Sequence, residues 1–277
     1  MKPVRETPKE TTITSAENAV YRQLHDTLAS KGIKKHETFL VFGERAVRDT
    51  LARHPGLIRD LIICQGTADD IVSPIRALAA EVAKAAPAAA HLTLSKALFG
   101  ELDLFGTRFP LLALRSPEID EANLNEAPKG LEILCALGDP SNVGALLRSA
   151  AAFGASRVIL LKECASPLHP KAVRAASAST LATRLSRGPS IQDVITGAVP
   201  GRTIALDMSG KPLPGFTWPT DVRLLLGEEG QGVPGRDLAG DRDSGLEFVS
   251  IPMQEGIESL NATIAASIAM YAYRAQH

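Results

Sequence analysis

Arg148 is the first residue whose type and position suggest chemistry. Residues 137–160 have the pattern of a strand end, a loop and a helix, and Arg148 falls outside the apolar face of that helix, four residues after Gly144. Helical side chains lean toward the N-terminus, so we expect the guanidinium to pass over Gly144 toward the loop that contains Asn142. An arginine aimed at a helix N-terminus favours phosphate or another anion. For this helix alone, a solvated surface arginine is the alternative.

Two further segments concentrate unusual residues. Residues 224–235 follow an apolar run and contain four glycines, which let the backbone approach a ligand closely. They match neither a phosphate-binding P-loop nor a dinucleotide fingerprint, and an ordinary turn is the alternative. In residues 249–274, Ser259 is placed to cap the last helix, whereas Asn261 is expected one or two residues inside it, where an amide needs a polar partner. A buried-facing amide at the mouth of a sheet is a candidate ligand contact.

All three segments lie at the carboxyl ends of predicted strands, where open α/β sheets place their ligands. Short apolar runs alternate with helices after residue 131, which is typical of an α/β domain with a mostly parallel sheet. The predicted strands are 131–137, 157–161, 203–206, 222–226 and 247–251, and the principal predicted helices are 142–153 and Leu260 to Arg274.

The first half of the chain also alternates between strands and helices, which predicts a separate, smaller α/β domain. Residues 1–15 are polar and are expected to form a disordered arm, and residues 115–130 are polar, contain two prolines and have the character of a linker. The predicted domains are therefore 16–114 and 131–277. Predicted strands in the first domain are 38–42, 57–64, 91–94 and 110–114, with helices at 16–30, 44–53 and 72–86.

Composition excludes several classes of protein. The 277 residues carry a net charge of -1, which excludes a uniformly basic nucleic-acid coat protein, so any RNA contact must be a local patch. No stretch approaches the about 18 apolar residues of a membrane helix, and the N-terminus lacks an apolar signal region, so a soluble cytoplasmic protein is expected. The three cysteines, Cys64, Cys135 and Cys164, lack metal-ligand spacing and are interpreted as buried thiols rather than a metal site or disulfide.

Together the three segments resemble the three motifs of the TrmH-type RNA 2′-O-ribose methyltransferases of the SPOUT superfamily. The resemblance covers residues 131–277, and residues 41–51 resemble the opening of that family's N-terminal substrate-binding domain. The ordered combination of the three motifs is specific, although each motif alone is weak. The residues that carry it are Asn142, Gly144 and Arg148, then Gly227, Glu229 and Gly232, then Ile251, Pro252 and Met253 with Ser259, Leu260 and Asn261.

The resemblance implies an α/β fold whose C-terminal SPOUT domain is tied in a trefoil knot and preceded by a smaller α/β RNA-binding domain. It also implies S-adenosylmethionine as the methyl donor, no metal, and a homodimer as the functional unit. By the same resemblance, Leu206, Gly227, Ile251 and Leu260 line the donor pocket. Asn142, Arg148, Glu229, Ser259 and Asn261 form the catalytic and supporting shell, and Arg174, with Lys171 and Arg45, is expected on the RNA side.

The chain departs from the family pattern at three places. Glu255 stands where many relatives have glycine, and Ala262 and Thr263 replace the usual Val and Ser. Residues 107–110, Thr-Arg-Phe-Pro, replace a Pro-Gln-Gly turn. The added carboxylate of Glu255 motivates an alternative function, that of a non-catalytic RNA-binding or ribosome-assembly protein that retains the knotted fold. An unrelated nucleotide-binding α/β enzyme is a further alternative, which the combination of motifs disfavours.

Charge is unevenly distributed along the chain. Residues 22–59 hold eight basic and four acidic residues, and residues 157–187 hold six basic residues and one acidic residue. Residues 221–258 instead hold nine acidic and three basic residues. We expect RNA to lie across the first two regions, with ribosomal RNA favoured over transfer RNA, although a solvated charged face is the alternative. Arg148 is expected to bind the phosphate beside the target ribose and to stabilise developing alkoxide charge, because a free arginine stays protonated above about pH 12.

Overall fold

The computed structural model describes residues 10–67, 73–197, 199–227, 233, 246–257 and 259–277. In these residues the strands are β1 Glu10–Ile13, β2 Thr38–Val41, β3 Ile58–Cys64, β4 Ala90–Leu94, β5 Leu111–Arg115, β6 Asp120–Glu121, β7 Leu131–Cys135, β8 Arg157–Leu160, β9 Leu185–Arg187, β10 Arg202–Pro212, β11 Val222–Leu226 and β12 Leu246–Ser250. The helices are α1 Ala19–Asp26, α2 Ser30–His36, α3 Glu44–Arg53, α4 Pro74–Ala85, α5 Lys96–Leu102, α6 Pro140–Phe153, α7 Pro170–Ala176, α8 Ile191–Thr196 and α9 Ala262–Arg274. Two short 3₁₀ turns, Pro55–Leu57 and Ser177–Thr180, complete the elements.

The chain forms two compact units. The first unit comprises Met1–Pro117 together with Leu168–Ala178, and the second comprises Glu118–Pro167 together with Ser179–His277. The change of unit after Pro117 falls inside the segment 115–130 that the sequence marks as a linker. Leu168–Ala178 differs from the expected organisation, because this segment follows the linker in sequence and yet α7 packs against β2 of the first unit.

The first unit contains a five-stranded mixed sheet in the order β1-β4-β3-β5-β2. Strands β1, β4 and β3 pair in parallel, whereas β5 pairs antiparallel with both β3 and β2. The strand Glu10–Ile13 differs from the disorder expected over residues 1–15. It is ordered because its backbone pairs with Ala90–Leu94 along its whole length and because Ile13 is buried in the core of the unit.

Local capping explains where several helices begin. The Asn18 side chain accepts hydrogen bonds from the first-turn N–H groups of α1, and Ser73 caps α4, which has Pro74 in its first turn. The predicted helix over 16–30 is therefore split, with α1 ending at Asp26 and α2 beginning at Ser30. Helix α6 ends at Gly154, whose φ of +75° is the left-handed conformation that terminates many helices.

The second unit contains a seven-stranded sheet in the order β12-β10-β11-β7-β8-β9-β6. Every pair of neighbouring strands in it is parallel. The predicted α/β class with a parallel sheet is confirmed. The five predicted strands of this domain correspond to β7, β8, β10, β11 and β12. Two further strands, β9 and β6, are not predicted from the sequence, because their three and two residues are too short to show a periodic pattern.

A buried ion network ties three adjacent strands of this sheet together. Glu132 on β7 accepts hydrogen bonds from Arg157 Nε on β8 at 2.9 Å and from Arg223 Nε on β11 at 3.1 Å. Arg223 is fully buried, and its remaining donors reach the carbonyl oxygens of Pro200 at 2.8 Å and Glu126 at 2.5 Å. A buried charge requires such complete pairing. The network therefore holds the segments that contain Pro200 and Glu126 against the strands of the sheet.

Two of the three cysteines lie together in the second unit. Cys135 is buried at the end of β7, and its Sγ lies 3.5 Å from the Sγ of Cys164. This contact and burial raise the pKa of the Cys164 thiol above its ordinary value, which favours the protonated form. The expectation that all three thiols are buried is wrong for Cys64 and Cys164, which are half-buried because they lie at a strand end and in a loop.

The described residues contain neither a helix suited to spanning a membrane nor a cluster of metal ligands. None of the helices in these ranges combines the length and the apolar content needed to cross a bilayer. In the same ranges, no three His, Cys, Asp or Glu side chains converge in a way that could hold a metal ion.

Candidate functional site

Three of the predicted donor-binding residues lie along one edge of the second sheet. Gly227 directly follows β11, and Ile251 directly follows β12. Leu206 pairs with Val249 at the point where the β10–β12 ladder becomes irregular. Because β12, β10 and β11 are neighbouring parallel strands, their carboxyl ends meet at the same edge. The structure therefore brings Leu206, Gly227 and Ile251 to one rim, with all three residues half-buried.

Apolar side chains stay exposed in the segments that leave this rim. Met208 is 57% exposed, Ile257 is 52% exposed and Leu260 is 36% exposed. Large aliphatic side chains at this exposure offer uncovered apolar surface beside the backbone of the strand ends. Leu260, the fourth predicted donor contact, belongs to this group. The combination of accessible backbone and apolar side chains suits a ligand with a flat apolar part and several hydrogen-bonding groups.

An amide pair fastens the start of α6 to the start of α9. Asn261 Nδ2 donates to Asn142 Oδ1 at 3.1 Å, and Thr263 Oγ1 donates to the backbone carbonyl oxygen of Asn142 at 3.1 Å. Further along the two helices, the hydroxyls of Ser149 and Ser267 lie 2.7 Å apart. Helices α6 and α9 are thus joined by polar contacts, and each contact holds the side chains of both helices in position. We call Asn142, Asn261 and Thr263 the amide clasp.

Asn261 is itself the N-cap of α9. Its Oδ1 accepts hydrogen bonds from the N–H groups of Thr263 at 3.0 Å and Ile264 at 3.2 Å. The predictions that Ser259 caps the helix and that Asn261 lies inside it are therefore wrong. The backbone of Asn261 has φ -51° and ψ 135°, which is non-helical, so the helix begins at Ala262. Ser259 lies two residues before the cap and is exposed.

Arg148 lies on the exposed side of α6, two turns after Asp139 caps that helix. In the part of the chain that the structure describes, its guanidinium has no carboxylate partner. This agrees with the predicted position outside the apolar face, since Val143, Leu146 and Leu147 are the residues that are buried. An exposed, unpaired guanidinium is available to an anionic ligand.

Two residues of the second motif cannot be placed. Glu229, predicted in the catalytic shell, and Gly232 lie outside the described residues. Glu255, the departure in the third motif, is exposed.

The three predicted RNA-side residues all belong to the first unit. Arg174 and Lys171 are exposed on α7, and Arg45 is exposed on α3. A Cβ placed on Gly43, two residues before Arg45, would lie 2.8 Å from Arg174 Nη1, so Arg174 reaches the start of α3. Arg45 Nε is 3.9 Å from the Asp49 carboxylate. For Arg174 and Lys171, the described ranges contain no carboxylate partner.

Several basic residues counted toward the charged regions are paired within the protein. Arg157 is held by Glu132, Arg48 by Glu44 and Arg59 by Asp60. The exposed positive surface is therefore smaller than the sequence count suggests, because the count cannot distinguish a solvated cation from one that pairs across strands or along a helix.

The roles of two residues near the candidate site, Asp139 and Thr263, are not predicted from the sequence. Asp139 caps α6, with its carboxylate accepting from the N–H groups of Ser141 at 2.8 Å and Asn142 at 3.0 Å. The Asp139-Pro140 pair was a usable signal, since an acidic cap followed by proline is typical of a helix start. In the sequence, Thr263 differs from the family pattern only as a replacement for serine. No local pattern indicates that its hydroxyl reaches Asn142 on α6.

Comparisons with known proteins place this arrangement in a family. Residues 132–271, which are half of the chain, match the model of the SpoU rRNA Methylase family. The "Ribosomal RNA small subunit methyltransferase G 2" of Syntrophobacter fumaroxidans is 37% identical over 265 residues, which are 94% of this chain and 48% of that protein. The "23S rRNA (guanosine-2'-O-)-methyltransferase RlmB" of Coxiella burnetii is 30% identical over 165 residues, covering 54% of this chain and 60% of that protein.

Among solved structures, the AdoMet-bound rRNA methyltransferase of Sinorhizobium meliloti has the same fold. It superposes with a TM-score of 0.75 at 22% identity, over 96% of this chain and 98% of that chain. The chain spans about half the length of the Syntrophobacter relative, so the activity in that relative's name is not carried over here. From the family match over residues 132–271, the chain belongs to the SpoU rRNA Methylase family.

Proposed function

We propose that the chain transfers a methyl group from S-adenosylmethionine to a ribose 2′-hydroxyl of ribosomal RNA. The observation that carries the proposal is the convergence of three parallel strand ends at one rim, in a unit whose α6 and α9 are joined by the amide clasp. The match to the SpoU rRNA Methylase family supports methyl transfer to RNA, and the name of the Coxiella relative supports the 2′-oxygen as acceptor.

The rim residues fit the methyl donor by their chemistry. S-adenosylmethionine, when bound, supplies an electrophilic methyl group on a sulfonium. Gly227 and Ile251 offer half-buried backbone just after strand ends, and Leu206 offers it where the β10–β12 ladder becomes irregular, so N–H and C=O groups there can bind the polar parts of the donor. Exposed Leu260 and Ile257 offer apolar surface for its adenine ring. The S. meliloti protein, described as AdoMet bound, has the same fold and supports this assignment.

Arg148 has the central role in our proposal for the reaction. Its exposed guanidinium on α6, which has no carboxylate partner among the described residues, binds the phosphate beside the target ribose and orients the 2′-hydroxyl for in-line attack. The same charge stabilises the alkoxide character that develops as the hydroxyl passes its proton to solvent, while the new O–C bond forms and the methyl–sulfur bond breaks. Asn142 and Asn261 hold the start of α6 in position, and Glu229 and Ser259 remain proposed members of the supporting shell. Positioning and charge stabilisation of this kind require no metal.

The substrate side of the proposal rests on the first unit. Exposed Arg174 and Lys171 on α7, and Arg45 on α3, supply positive charge for RNA phosphates. We favour ribosomal over transfer RNA because the family and two of its named relatives are described by rRNA. Because the proposed substrate is ribosomal RNA, we propose that the chain acts in the cytoplasm.

We propose that the functional unit is a homodimer formed through α9. Ile264, Ile268 and Tyr271 form one exposed apolar stripe at i, i+4, i+7 spacing, and Tyr271 is 63% exposed. Phe153 at the end of α6 packs against the Tyr271 ring with 6.1 Å between ring centroids, which extends the stripe. A self-complementary stripe of this kind suits a two-fold contact with a second copy.

Calorimetric titration with S-adenosylmethionine and S-adenosylhomocysteine tests the proposal without knowledge of the RNA target. We expect saturable binding to the wild-type chain that Gly227→Val abolishes, because a branched side chain at the strand end blocks the backbone. Gly56→Val is the matched control, since a Cβ at Gly56 meets nothing within 4 Å. Absence of binding by the folded wild type would overturn the proposal and favour a non-catalytic RNA-binding role.

A further inference from the structure

The loop that joins α5 to β5, residues 103–110, carries two phenylalanines that are each covered by an arginine from outside the loop. The guanidinium carbon of Arg174 lies 5.9 Å from the centroid of the Phe105 ring. The guanidinium carbon of Arg48 lies 5.9 Å from the centroid of the Phe109 ring. Both rings are half-buried. By distance and aromatic type alone, the two pairs are equivalent.

The two arginines differ in charge compensation. Arg48 Nε donates to the Glu44 carboxylate at 2.8 Å, so its charge is neutralised within the protein. Arg174 is exposed, and no carboxylate in the described ranges pairs with it. The Phe105–Arg174 pair therefore presents an uncompensated cation on an aromatic face, whereas the Phe109–Arg48 pair does not.

The Phe105–Arg174 pair is also fixed in position. The Phe105 ring packs edge-on against Phe42, which is 1% exposed, with centroids 5.0 Å apart and planes at 84°. Gly43 has a φ of +85°, and a Cβ there would lie 2.8 Å from Arg174 Nη1. Glycine at this position thus permits both the backbone conformation and the close approach of the guanidinium.

The loop itself is held in one conformation by Asp103. Its carboxylate accepts hydrogen bonds from Thr107 Oγ1 at 3.0 Å and from the backbone N–H of Arg108 at 2.7 Å. Arg108 is in the left-handed region, with a φ of 53°, and is exposed. Its guanidinium, like that of Arg174, has no carboxylate partner in the residues described. Within the described residues, the loop that carries Phe105 therefore contributes a second cation without a carboxylate partner, in addition to Arg174 over the ring.

We propose that Phe105 and Arg174 form a stacking site for an unpaired base of the RNA, and that Arg174 and Arg108 bind the adjacent phosphates. An aromatic ring and a planar guanidinium both stack on the π-face of a base, and bases are accessible for stacking only where RNA is unpaired. The two exposed cations attract an anion close to that base, and the sugar-phosphate backbone provides one. The inference rests on the proposed function, and it narrows the substrate to RNA with an unpaired loop.

Binding of two fluorescein-labelled RNAs tests the proposal: a hairpin with an unpaired loop and a fully paired duplex of the same stem. We expect Phe105→Leu to weaken hairpin binding about tenfold in a fluorescence anisotropy titration and to leave duplex binding unchanged, since stacking acts only on unpaired bases. Phe109→Leu and Arg48→Gln are the matched controls and should bind both RNAs as the wild type does. Equal losses for hairpin and duplex, or equal effects of Phe105→Leu and Phe109→Leu, would overturn the proposal.

A fluorescent base separates stacking from general attraction. With 2-aminopurine in the hairpin loop, wild type and Phe105→Tyr should quench its emission on binding, because stacking quenches this base. Phe105→Leu should not quench it. Arg174→Lys keeps the charge and loses the planar group, so it should weaken quenching more than duplex affinity. Thermal denaturation checks that Phe105→Leu is folded. If the folded variant quenches the emission as much as the wild type does, the proposed stacking site is wrong. If Phe105→Leu unfolds, the conservative variant Phe105→Tyr takes its place, and loss of quenching by that variant would also contradict the proposal.

Methyl transfer to purified ribosomal RNA distinguishes the failure of this inference from the failure of the proposed function. If the wild type methylates rRNA and Phe105→Leu has an unchanged kcat/KM, the stacking site is wrong and the methyltransferase assignment stands. If the wild type neither binds the donor nor methylates RNA, while hairpin binding still depends on Phe105, the proposed function is wrong and the stacking site stands.

Discussion

Asn261 uses both ends of its amide. Its Oδ1 accepts hydrogen bonds from two backbone N–H groups at the start of α9. The other end of the amide, Nδ2, is therefore directed to Asn142 Oδ1. The cap therefore determines which group the side chain presents to α6. A residue chosen for helix capping alone could equally be Asp or Ser, but neither places an N–H₂ group at that position.

Substitution of Asn261 separates capping from donation. Asn261→Asp keeps an acceptor for the cap, and we expect its free energy of unfolding to stay close to that of the wild type while methyl transfer falls, because a carboxylate cannot donate to Asn142. Asn261→Ala should lose about 0.5–2 kcal/mol of stability as well. Urea unfolding followed by the fluorescence of Trp218, the single tryptophan, reports on the second unit. Full activity in Asn261→Asp would contradict the role of the amide clasp.

Arg148 is expected to act on the reaction rather than on donor binding. Arg148→Ala should lower kcat by about 10²–10³, the effect of removing one charge-stabilising group, and leave the Kd for S-adenosylmethionine unchanged. Arg148→Lys should retain part of the rate, since it keeps the charge without the fork of donors. The measurement is the methyl-transfer rate as a function of pH, with Arg76→Ala, an exposed arginine on α4, as the control. An unchanged rate in both Arg148 variants would remove Arg148 from the mechanism.

At the scale of elements, the Glu132 network links β8, β7 and β11 directly across their ladders, since Glu132 faces Arg157 on one side and Arg223 on the other. We expect Glu132→Gln to destabilise the second unit by about 3–5 kcal/mol, because it leaves the fully buried Arg223 without a counter-charge. Glu247→Gln removes an ion pair with Arg202 and Lys211 at the surface and should cost at most about 1 kcal/mol.

Urea unfolding monitored at Trp218 compares the two variants in one unit. Similar midpoints for Glu132→Gln and Glu247→Gln would show that the buried network contributes no more than a surface pair, contrary to this expectation.

The elements that the sequence predicts correctly are those whose burial follows a regular pattern. β7, β8 and β11 are mostly apolar runs, each containing one charged residue, and the period of α6 places Arg148 outside the buried face. Elements stabilised mainly by distant pairing could not be predicted in this way. The strand Glu10–Ile13 is polar apart from Ile13, and its order depends on a partner about 80 residues later in the chain.

The same distinction holds within the candidate site. The positions of Gly227 and Ile251 just after strand ends follow from the pattern of the strands, whereas β10 continues past Leu206 to Pro212. The amide clasp depends on contacts between residues that are 119 and 121 positions apart, which no local pattern encodes. The trefoil knot and the role of Glu229 stay predictions.

At the scale of the whole molecule, the apolar stripe on α9 predicts the oligomeric state. Tyr271→Asp, with or without Ile264→Asp, should convert the dimer to a monomer, because a charge at the centre of an apolar contact is costly to bury. Sedimentation velocity measures the change. Leu104→Asp, which alters an apolar side chain of 50% exposure in the first unit, is the control and should leave the dimer intact. A wild-type chain that is monomeric at all concentrations, or a dimer unaffected by Tyr271→Asp, would contradict the proposed interface.

The first unit is completed late during synthesis, because α7 belongs to it but follows part of the second unit in the sequence. The nascent chain completes β2 and β5 early, but α7, which packs on β2, emerges only after all of Glu118–Pro167 has been made. At about 5–20 residues per second, the ribosome needs several seconds for that stretch. Throughout this interval β2 lacks its contact with α7, so we expect the first unit to reach its final packing only after Leu168–Ala178 has been made.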